Sequence, residues 1–197
     1  MVNIKIFSYI CTEFNHQKQI TLKRIITMGG SSSSESINKK LARYAGDQLK
    51  GFEVIHLDLR DYDLPLYSID YEREHGFSDD LIKLEKEITG SDGIVLSLAE
   101  HNGAYTAAFK NAFDWLSRRE SKVWRGKPML LLSTSPGARG GQSVLEIAKK
   151  RFPFNGGNIV ASMSFPSFND NFRNGEVVEP GLKKELMDRI DAFQENI

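Results

Sequence analysis

Short runs of apolar residues alternate along the chain with amphipathic stretches. The runs are too short for helices, and their content of Ile, Val and Leu is typical of buried strands. Continuous apolar strands of this kind indicate a parallel sheet that is covered on both faces. Five such strands are predicted, over residues 22–28, 52–59, 93–98, 128–134 and 158–163.

Between the strands, apolar residues recur every three or four positions, which is the spacing of one face of a helix. Gly51 is the predicted stop of the first helix. Five helices are predicted from these sets of residues: Ile37, Leu41, Tyr44 and Ala45; Leu81, Leu84 and Ile88; Ala108, Phe109, Ala112, Phe113 and Leu116; Val144, Leu145, Ala148 and Phe152; Leu182, Leu186, Ile190 and Phe193.

Strand and helix alternate five times, which predicts a doubly wound α/β domain with helices on both faces of a five-stranded parallel sheet. The domain is predicted over residues 21–197. Residues 1–20 lie outside this plan. Three alternatives stand for them: a disordered extension, an added strand, or an upstream stretch read into the chain.

Composition and charge narrow the choice of function. The 197 residues hold 26 Lys+Arg against 26 Asp+Glu, which argues against a broad surface for nucleic acid or a polybasic membrane patch. The single cysteine, Cys11, excludes an intramolecular disulfide, and the histidines lack metal-ligand spacing. No apolar run approaches the ~18 residues that cross a bilayer, and the apolar N-terminal stretch is too short for a signal peptide. A cytoplasmic location is predicted.

The loop after the first strand is the first candidate for chemistry, because ligands of doubly wound sheets lie outside the carboxyl ends of the strands. Residues 29–38 read GGSSSSESIN. Glycines, hydroxyls and the amides of a helix N-terminus suit a phosphate. The alternative is a serine-rich helix cap, with Ser32 and Glu35 as a capping box. The position of the loop favours the phosphate, and both interpretations stay open.

The loop after the third strand reads AEHNGAY over residues 99–105 and leads into a helix. The groups from Glu100 to Gly103 suit a planar polar ligand. A lone histidine such as His101, however, is more often a hydrogen-bonded structural group. Lys110 and Asp114 lie four residues apart on the following helix and can pair with each other.

The loop after the fourth strand reads STSPGARGGQ over residues 133–142. Its glycines permit a ligand to approach the backbone closely, and the alternative is an ordinary flexible turn. Arg139 in this loop is a cation that can face a phosphate, a substrate or water. Because the fold brings the carboxyl ends of these strands together, the three loops predict one shared ligand site.

Three motifs in this order resemble the NADPH-dependent FMN reductase family over residues 22–197. The family opens with Gly-Ser-x-Arg-x-x-Ser-x-Asn, and residues 30–38 read GSSSSESIN. Its second motif, Pro-Glu-Tyr-Asn-Gly and then Leu-Lys-Asn-Ala-x-Asp-Trp, is similar to AEHNG at 99–103 and FKNAFDW at 109–115. Its third, Gly-Lys-Pro and then Ser-x-Gly-x-x-Gly-Gly, is similar to GKP at 126–128 and SPGARGG at 135–141.

The resemblance implies a flavodoxin-like sheet with strand order 2-1-3-4-5 and an FMN site in the three loops. The residues implied at the phosphate are Ser31, Ser33, Ser36 and Asn38; those along one edge of the isoalloxazine are Glu100, His101, Asn102 and Gly103; those along the other edge are Ser135, Gly137, Gly140 and Gly141.

Three positions depart from the family pattern. Ser33 replaces Arg, so the phosphate loses a fixed cation. His101 replaces Tyr, which removes a large ring from the edge of the flavin. Ala99 replaces Pro, which makes the second loop less rigid.

The function implied is that of an oxidoreductase. Hydride from NADPH or NADH passes through FMN to free flavin, a quinone or an azo compound, and no residue is named as acid, base or metal ligand because the cofactor carries the chemistry. Two alternatives stand beside it: a flavodoxin-type one-electron carrier, against which the neutral charge counts, and an FMN-binding regulatory protein without turnover.

A homodimer or homotetramer is also implied by the resemblance. Candidates for its interface are Trp115, Trp124 and the phenylalanine-rich residues 165–172. For Trp115 the alternative is a position in the core. For residues 165–172 the alternative is a lid over the core of the domain itself.

Overall fold

The computed structural model describes residues 21–197, which form an α/β domain around a twisted sheet. Five long strands pair in parallel in the order β2-β1-β3-β5-β6, and a short strand, β4, pairs antiparallel with the end of β3. The strands are β1 (Lys23–Gly30), β2 (Phe52–Leu57), β3 (Gly93–His101), β4 (Ala104–Tyr105), β5 (Pro128–Thr134) and β6 (Asn158–Phe165). The five predicted strands and their order 2-1-3-4-5 are confirmed, since β5 and β6 are the fourth and fifth long strands.

Helices cover both faces of the sheet, as the doubly wound pattern predicts. Helices α1 and α7 pack on one face, and α3, α4 and α5 pack on the other. The seven helices of the described chain are α1 (Ile37–Asp47), α2 (Ile69–His75), α3 (Asp79–Thr89), α4 (Ala107–Arg119), α5 (Gln142–Arg151), α6 (Phe168–Asn171) and α7 (Pro180–Gln194). The five predicted helices are α1, α3, α4, α5 and α7, whereas α2 and α6 come from the structure alone.

The central strands explain why the sheet needs both layers. Ile25 and Ile26 of β1 are fully buried on opposite faces, and the side chains of β3 and β5 are buried along most of their length. Register aligns the ends of the strands: Gly30 of β1 lies beside Leu98 of β3, and Ala99 lies beside Thr134 of β5. The loops that follow β1, β3 and β5 therefore emerge side by side at one edge of the sheet.

Two short hairpins modify the predicted plan. β3 runs on to His101 and turns back into β4 through Asn102 and Gly103, whose φ angles are 51° and 75°. A second hairpin joins β7 (Phe172–Arg173) to β8 (Glu176–Val177) through Asn174 and Gly175. Asn-Gly is the dipeptide that favours such two-residue turns, because both central residues have positive φ.

The two tryptophans belong to the core. Trp115 is 2% exposed and Trp124 is 0% exposed, so the prediction that they contribute to a subunit interface is wrong, and the alternative of a core position for Trp115 is confirmed. Trp115, on α4, meets the rings of Tyr67, Tyr71 and Phe77 edge-on. Trp124 packs against Phe113 and Phe152. Phe165 and Phe168 are buried against the core around α1 and α7, which favours the lid alternative for residues 165–172.

Residues 1–20 lie outside the described part of the chain, and so does the prediction made for them. Cys11 and His16 fall in that segment. Among residues 21–197, no helix combines the length and the apolar character needed to cross a bilayer.

Candidate active site

A cavity of about 270 Å³ lies where the ends of β1, β3 and β5 meet. Its walls come from the three loops that the sequence singled out. The lining residues are Ser31, Ser33, Glu35, Ser36, Ile37, Asn38, Ala99, Glu100, His101, Thr134, Ser135 and Pro136. The remaining predicted residues stand in the same loops but outside this lining: Asn102, Gly103, Gly137, Gly140 and Gly141.

The first loop ends in a capped helix. Ser36 is the N-cap of α1, and its Oγ accepts a hydrogen bond from the amide of Lys39 at 3.2 Å. The alternative of a capping box formed by Ser32 and Glu35 is therefore wrong, because the N-cap, Ser36, lies four residues after Ser32. Gly29 lets the first turn of α1 approach β1, since a Cβ at Gly29 would lie 2.6 Å from the amide nitrogen of Lys39.

The serines of this loop bond some of its backbone amides and leave others free. Ser31 Oγ accepts from the amide of Ser33 at 3.2 Å, and Ser33 Oγ accepts from the amide of Glu35 at 3.2 Å. Within residues 21–197, four amides of the loop and the first turn make no hydrogen bond: those of Ser32, Ser34, Ile37 and Asn38. Free amides at the positive end of a helix form a binding site for a dianion.

Asn38 joins the three strand ends from inside. The residue is 2% exposed. Its Oδ1 accepts from the hydroxyl of Ser97 at 2.7 Å and from the amide of Thr134 at 3.0 Å, and its Nδ2 donates to the carbonyl of Thr134 at 3.0 Å. The side chain thus holds α1 against β3 and β5, and it shapes the cavity through these internal bonds.

The second loop is held by a carboxylate and a hydroxyl. Glu100 Oε2 accepts from the amide of Val144 at 3.0 Å, which places its charge at the N-terminus of α5. Thr106 caps α4 and donates its hydroxyl hydrogen to the carbonyl of Gly30 at 2.9 Å. His101 is exposed at the cavity, and its ring makes no hydrogen bond within residues 21–197.

The third loop folds tightly against β6. Gly140 and Gly141 have φ angles of 56° and 75°, and Gly141 is the N-cap position of α5. The carbonyl of Gly140 accepts from the hydroxyls of Ser133 at 2.8 Å and Ser164 at 3.1 Å. The carbonyl of Gly137 accepts from the amide of Ser167 at 3.0 Å. These glycines set the path of the loop along one side of the cavity.

A cation cluster stands beside the first loop. Lys39 Nζ lies 2.7 Å from Asp58 Oδ2, and Arg60 Nη2 lies 2.8 Å from the same oxygen. The hydrogen bonds from Arg60, and further bonds from Lys39, hold the pKa of Asp58 well below its usual range. Arg60 shares a second small cavity with Ser32. Two cations against one carboxylate leave the cluster net positive.

Sequence reasoning missed this cluster although a signal existed. Asp58 and Arg60 directly follow β2, whose carboxyl end lies at the same edge of the sheet as the other site loops. The field of the cluster reaches the loop: the pKa of Glu35 is lowered, first by its bond to Lys40 and further by Lys39 and Arg60.

Other charged candidates have local partners. Lys110 Nζ lies 2.7 Å from Asp114 Oδ1, which confirms the predicted pair on α4. Arg139 is exposed and donates to the hydroxyl of Ser143 at 3.3 Å. No group of three or more potential metal-ligating side chains occurs among residues 21–197.

The donors of the site fit a flat ligand that carries a phosphate. Free amides and hydroxyls suit the dianion, the net positive cluster supports it, and the cavity extends between the second and third loops. A buried carboxylate does not oppose the phosphate, because Glu35 is exposed and Glu100 is turned to α5. The chain's own residues therefore fit FMN.

Comparison with known proteins gives a consistent result. The model of the NADPH-dependent FMN reductase family matches residues 23–170. The quinone reductase of Escherichia coli (strain K12) is 28% identical over 181 residues, which cover 88% of this chain and 95% of that protein. A 2-hydroxy-1,4-benzoquinone reductase of a Burkholderia species is 34% identical over 119 residues, or 59% of this chain and 63% of that protein.

Among solved structures, a similar one is FerB, a flavoenzyme NAD(P)H:(acceptor) oxidoreductase from Paracoccus denitrificans. It is 27% identical, with a TM-score of 0.72, and the match covers 89% of this chain and 97% of that one.

Proposed function

Since the chain belongs to the NADPH-dependent FMN reductase family and is therefore an FMN-dependent NAD(P)H oxidoreductase, we propose that its electron acceptor is a quinone. The observation that carries this choice is the match to the quinone reductase of Escherichia coli over 88% of this chain and 95% of that protein. A match of this extent includes all three site loops. The benzoquinone reductase of Burkholderia supports the same acceptor over a shorter stretch.

In the proposed complex, the FMN phosphate lies on the free amides of the first loop and on the hydroxyls of Ser31, Ser33 and Ser36. Asn38 is a positioning residue, since its amide group is bonded to Ser97 and Thr134. The isoalloxazine lies between the second and third loops, beside Glu100, His101, Asn102 and Gly103 on one side and Ser135, Gly137, Gly140 and Gly141 on the other. FMN, when bound, would supply the chemistry of hydride transfer between NAD(P)H and the acceptor.

His101 contributes to acceptor binding in this proposal. Its ring is exposed at the cavity and can donate a hydrogen bond to a quinone oxygen. Such a bond strengthens as negative charge develops on that oxygen during reduction, so it helps the reaction more than it helps ground-state binding.

Arg60 replaces the cation that is lost at Ser33. Arg60→Gln is expected to weaken FMN binding about tenfold at low salt, and the difference from the wild-type protein shrinks as salt screens the charge. Titration of the apoprotein with FMN, followed by quenching of flavin fluorescence, measures the change.

Arg118→Gln is the matched control for this variant. The side chain of Arg118 is 44% exposed, as is that of Arg60, and it also pairs with a carboxylate, Glu72, at 2.8 Å. It lies on α4, outside the phosphate loop. Equal FMN affinity for the two variants would contradict the role given to Arg60.

The choice of acceptor is tested with the FMN-loaded protein under anaerobic conditions. NADPH or NADH is expected to bleach the bound flavin. Addition of 1,4-benzoquinone is then expected to restore the oxidised spectrum in a single reoxidation. An azo dye and free FMN are the comparison acceptors, each at equal concentration.

Each result of this experiment separates the candidate functions. Fast reoxidation by the azo dye or by free FMN, with slow reoxidation by the quinone, would refute the quinone proposal. Retained flavin that neither nucleotide reduces would favour the carrier or the regulatory protein. The homodimer or homotetramer implied by the resemblance stays a prediction, for which light scattering is the measurement.

A further inference from the structure

A second and larger cavity, of about 520 Å³, lies on the outer side of α1. It is separate from the candidate active site, but the two share the side chain of Ile37. Its lining comes from α1 and from the segment that follows β6. The lining includes Ile37, Lys40, Arg43, Tyr44, Phe168 and Phe172.

One wall of this cavity is aromatic. Phe168 and Phe172 stack with ring centroids 4.8 Å apart and an interplanar angle of 18°. Tyr44 meets Phe172 edge-on, at 5.5 Å and 88°. Phe168 is buried, whereas Phe172 is half-buried and lines the cavity. Such a wall offers apolar and aromatic surface to a planar base.

The α1 side of the cavity also carries positive charge. Arg43 and Lys40 lie three positions apart on α1, which places them on the same side of the helix. Within residues 21–197, no carboxylate forms an ion pair with Arg43, and Lys40 pairs only with the exposed Glu35, at 3.0 Å. The carboxylate of Asp47, which also lines the cavity, is taken by His56 Nε2 at 3.1 Å. Arg43 is therefore available to an anion.

Backbone hydrogen bonds connect this cavity to the candidate active site. The amide of Phe168 donates to the carbonyl of Ser135 at 3.1 Å, and the amide of Ser167 donates to that of Gly137 at 3.0 Å. These two hydrogen bonds attach the segment that carries the aromatic wall to the third site loop. A ligand that reaches from one cavity to the other passes over Ile37 and this loop.

We propose that this cavity binds the phosphorylated adenosine half of NADPH, with Arg43 as the residue that selects NADPH over NADH. The inference rests on the proposed function, because the nicotinamide half must lie at the flavin. Adenine is planar and aromatic, the 2′-phosphate is a dianion, and a guanidinium binds phosphate through two parallel hydrogen bonds. A volume of about 520 Å³ falls within the usual size of small-molecule sites. NADH lacks the 2′-phosphate, so only NADPH gains from Arg43.

Arg43→Gln tests the assignment in the FMN-loaded protein. The wild-type enzyme is expected to favour NADPH. The variant is expected to lose about tenfold in kcat/KM for NADPH, mainly through KM, and to keep its value for NADH within about twofold. Calorimetric titration with 2′,5′-ADP supplies a readout that is independent of turnover: the compound is expected to bind the wild-type protein, to compete with NADPH, and to bind the variant at least tenfold more weakly.

Arg73→Gln removes the same charge from an exposed position on α2, outside both cavities, and is expected to behave as the wild-type protein. An unchanged NADPH to NADH ratio in Arg43→Gln, or 2′,5′-ADP that binds without competing with NADPH, would overturn the inference while leaving the oxidoreductase intact. If bound FMN is reduced by neither nucleotide, the proposed function fails first and the inference falls with it.

Discussion

Gly140→Ala is expected to lower the free energy of unfolding by about 3 kcal/mol and to abolish retention of FMN. Gly140 has a φ of 56°, where an alanine is strained by about 1 kcal/mol. Its Cβ would lie 2.6 Å from Ser164 Oγ and 2.7 Å from the carbonyl carbon and oxygen of Phe165. That backbone belongs to β6 and is paired with β5, so the loop that contains Gly140 must move instead. Overpacking of this kind lowers the free energy of unfolding by about 2 kcal/mol.

Gly137→Ala is the control within the same loop. The φ angle of Gly137 is not positive. Among residues 21–197, an added Cβ would meet one atom within 4 Å, Ser135 Oγ at 3.9 Å. Its free energy of unfolding is expected to stay within about 0.5 kcal/mol of the wild-type value. Urea unfolding, followed by far-UV circular dichroism, measures both variants, and equal midpoints for the two would refute the steric argument.

The strands and long helices could be predicted because each repeats one local rule over many residues. Ile25 and Ile26 are apolar because both faces of β1 are covered, and the pattern of Leu81, Leu84 and Ile88 marks the one buried side of α3. Where a segment is too short to show a period, the prediction fails. The seven residues of α2 bury no side chain, and the two hairpins are made of two-residue strands.

The candidate site could be located from the sequence, but the roles inside it could not. A strand end and a glycine-rich loop are local features. The partners of Asn38 are not, because Ser97 and Thr134 lie 59 and 96 residues away along the chain. Glu100 shows the same limit. Its position after β3 predicts a ligand contact, but its carboxylate accepts a hydrogen bond from the amide of Val144.

Long-range charge pairing was not predicted from the sequence either. Lys39, Asp58 and Arg60 become one cluster only when β2 is placed beside β1. In the proposed complex, this approach supplies a cation, Arg60, beside the loop in which Ser33 replaces the arginine of the family pattern. A sequence comparison of the loop alone would report only the loss.

Asn38→Asp is expected to give the second large effect, because it changes one atom at a residue that is 2% exposed. The carboxylate keeps the bonds from Ser97 and the amide of Thr134. Its other oxygen then faces the carbonyl of Thr134 in place of the donor that lay 3.0 Å away. A buried polar mismatch of this kind lowers stability by roughly 3 kcal/mol at neutral pH. The new charge also stands beside the proposed phosphate, so FMN affinity is expected to fall about a hundredfold.

The stability lost in Asn38→Asp depends on pH, and the direction of this dependence follows from the pKa of the introduced carboxyl. Burial beside a carbonyl raises the pKa of the introduced carboxyl above its unfolded value of about 3.9, so the folded state binds the proton more tightly. Stability of the variant relative to the wild-type protein therefore falls as pH rises from about 4 through the folded pKa, and it recovers on acidification because a protonated carboxyl can donate to Thr134. Asn155→Asp, which replaces the donor to the carbonyl of Ser121 at a residue that is 5% exposed and lies away from the site loops, is the matched control: it is expected to lose stability but keep most of its FMN affinity. Urea midpoints and FMN titrations from pH 5 to pH 8 decide the matter, and a pH-independent difference between Asn38→Asp and the wild-type protein would contradict the buried charge.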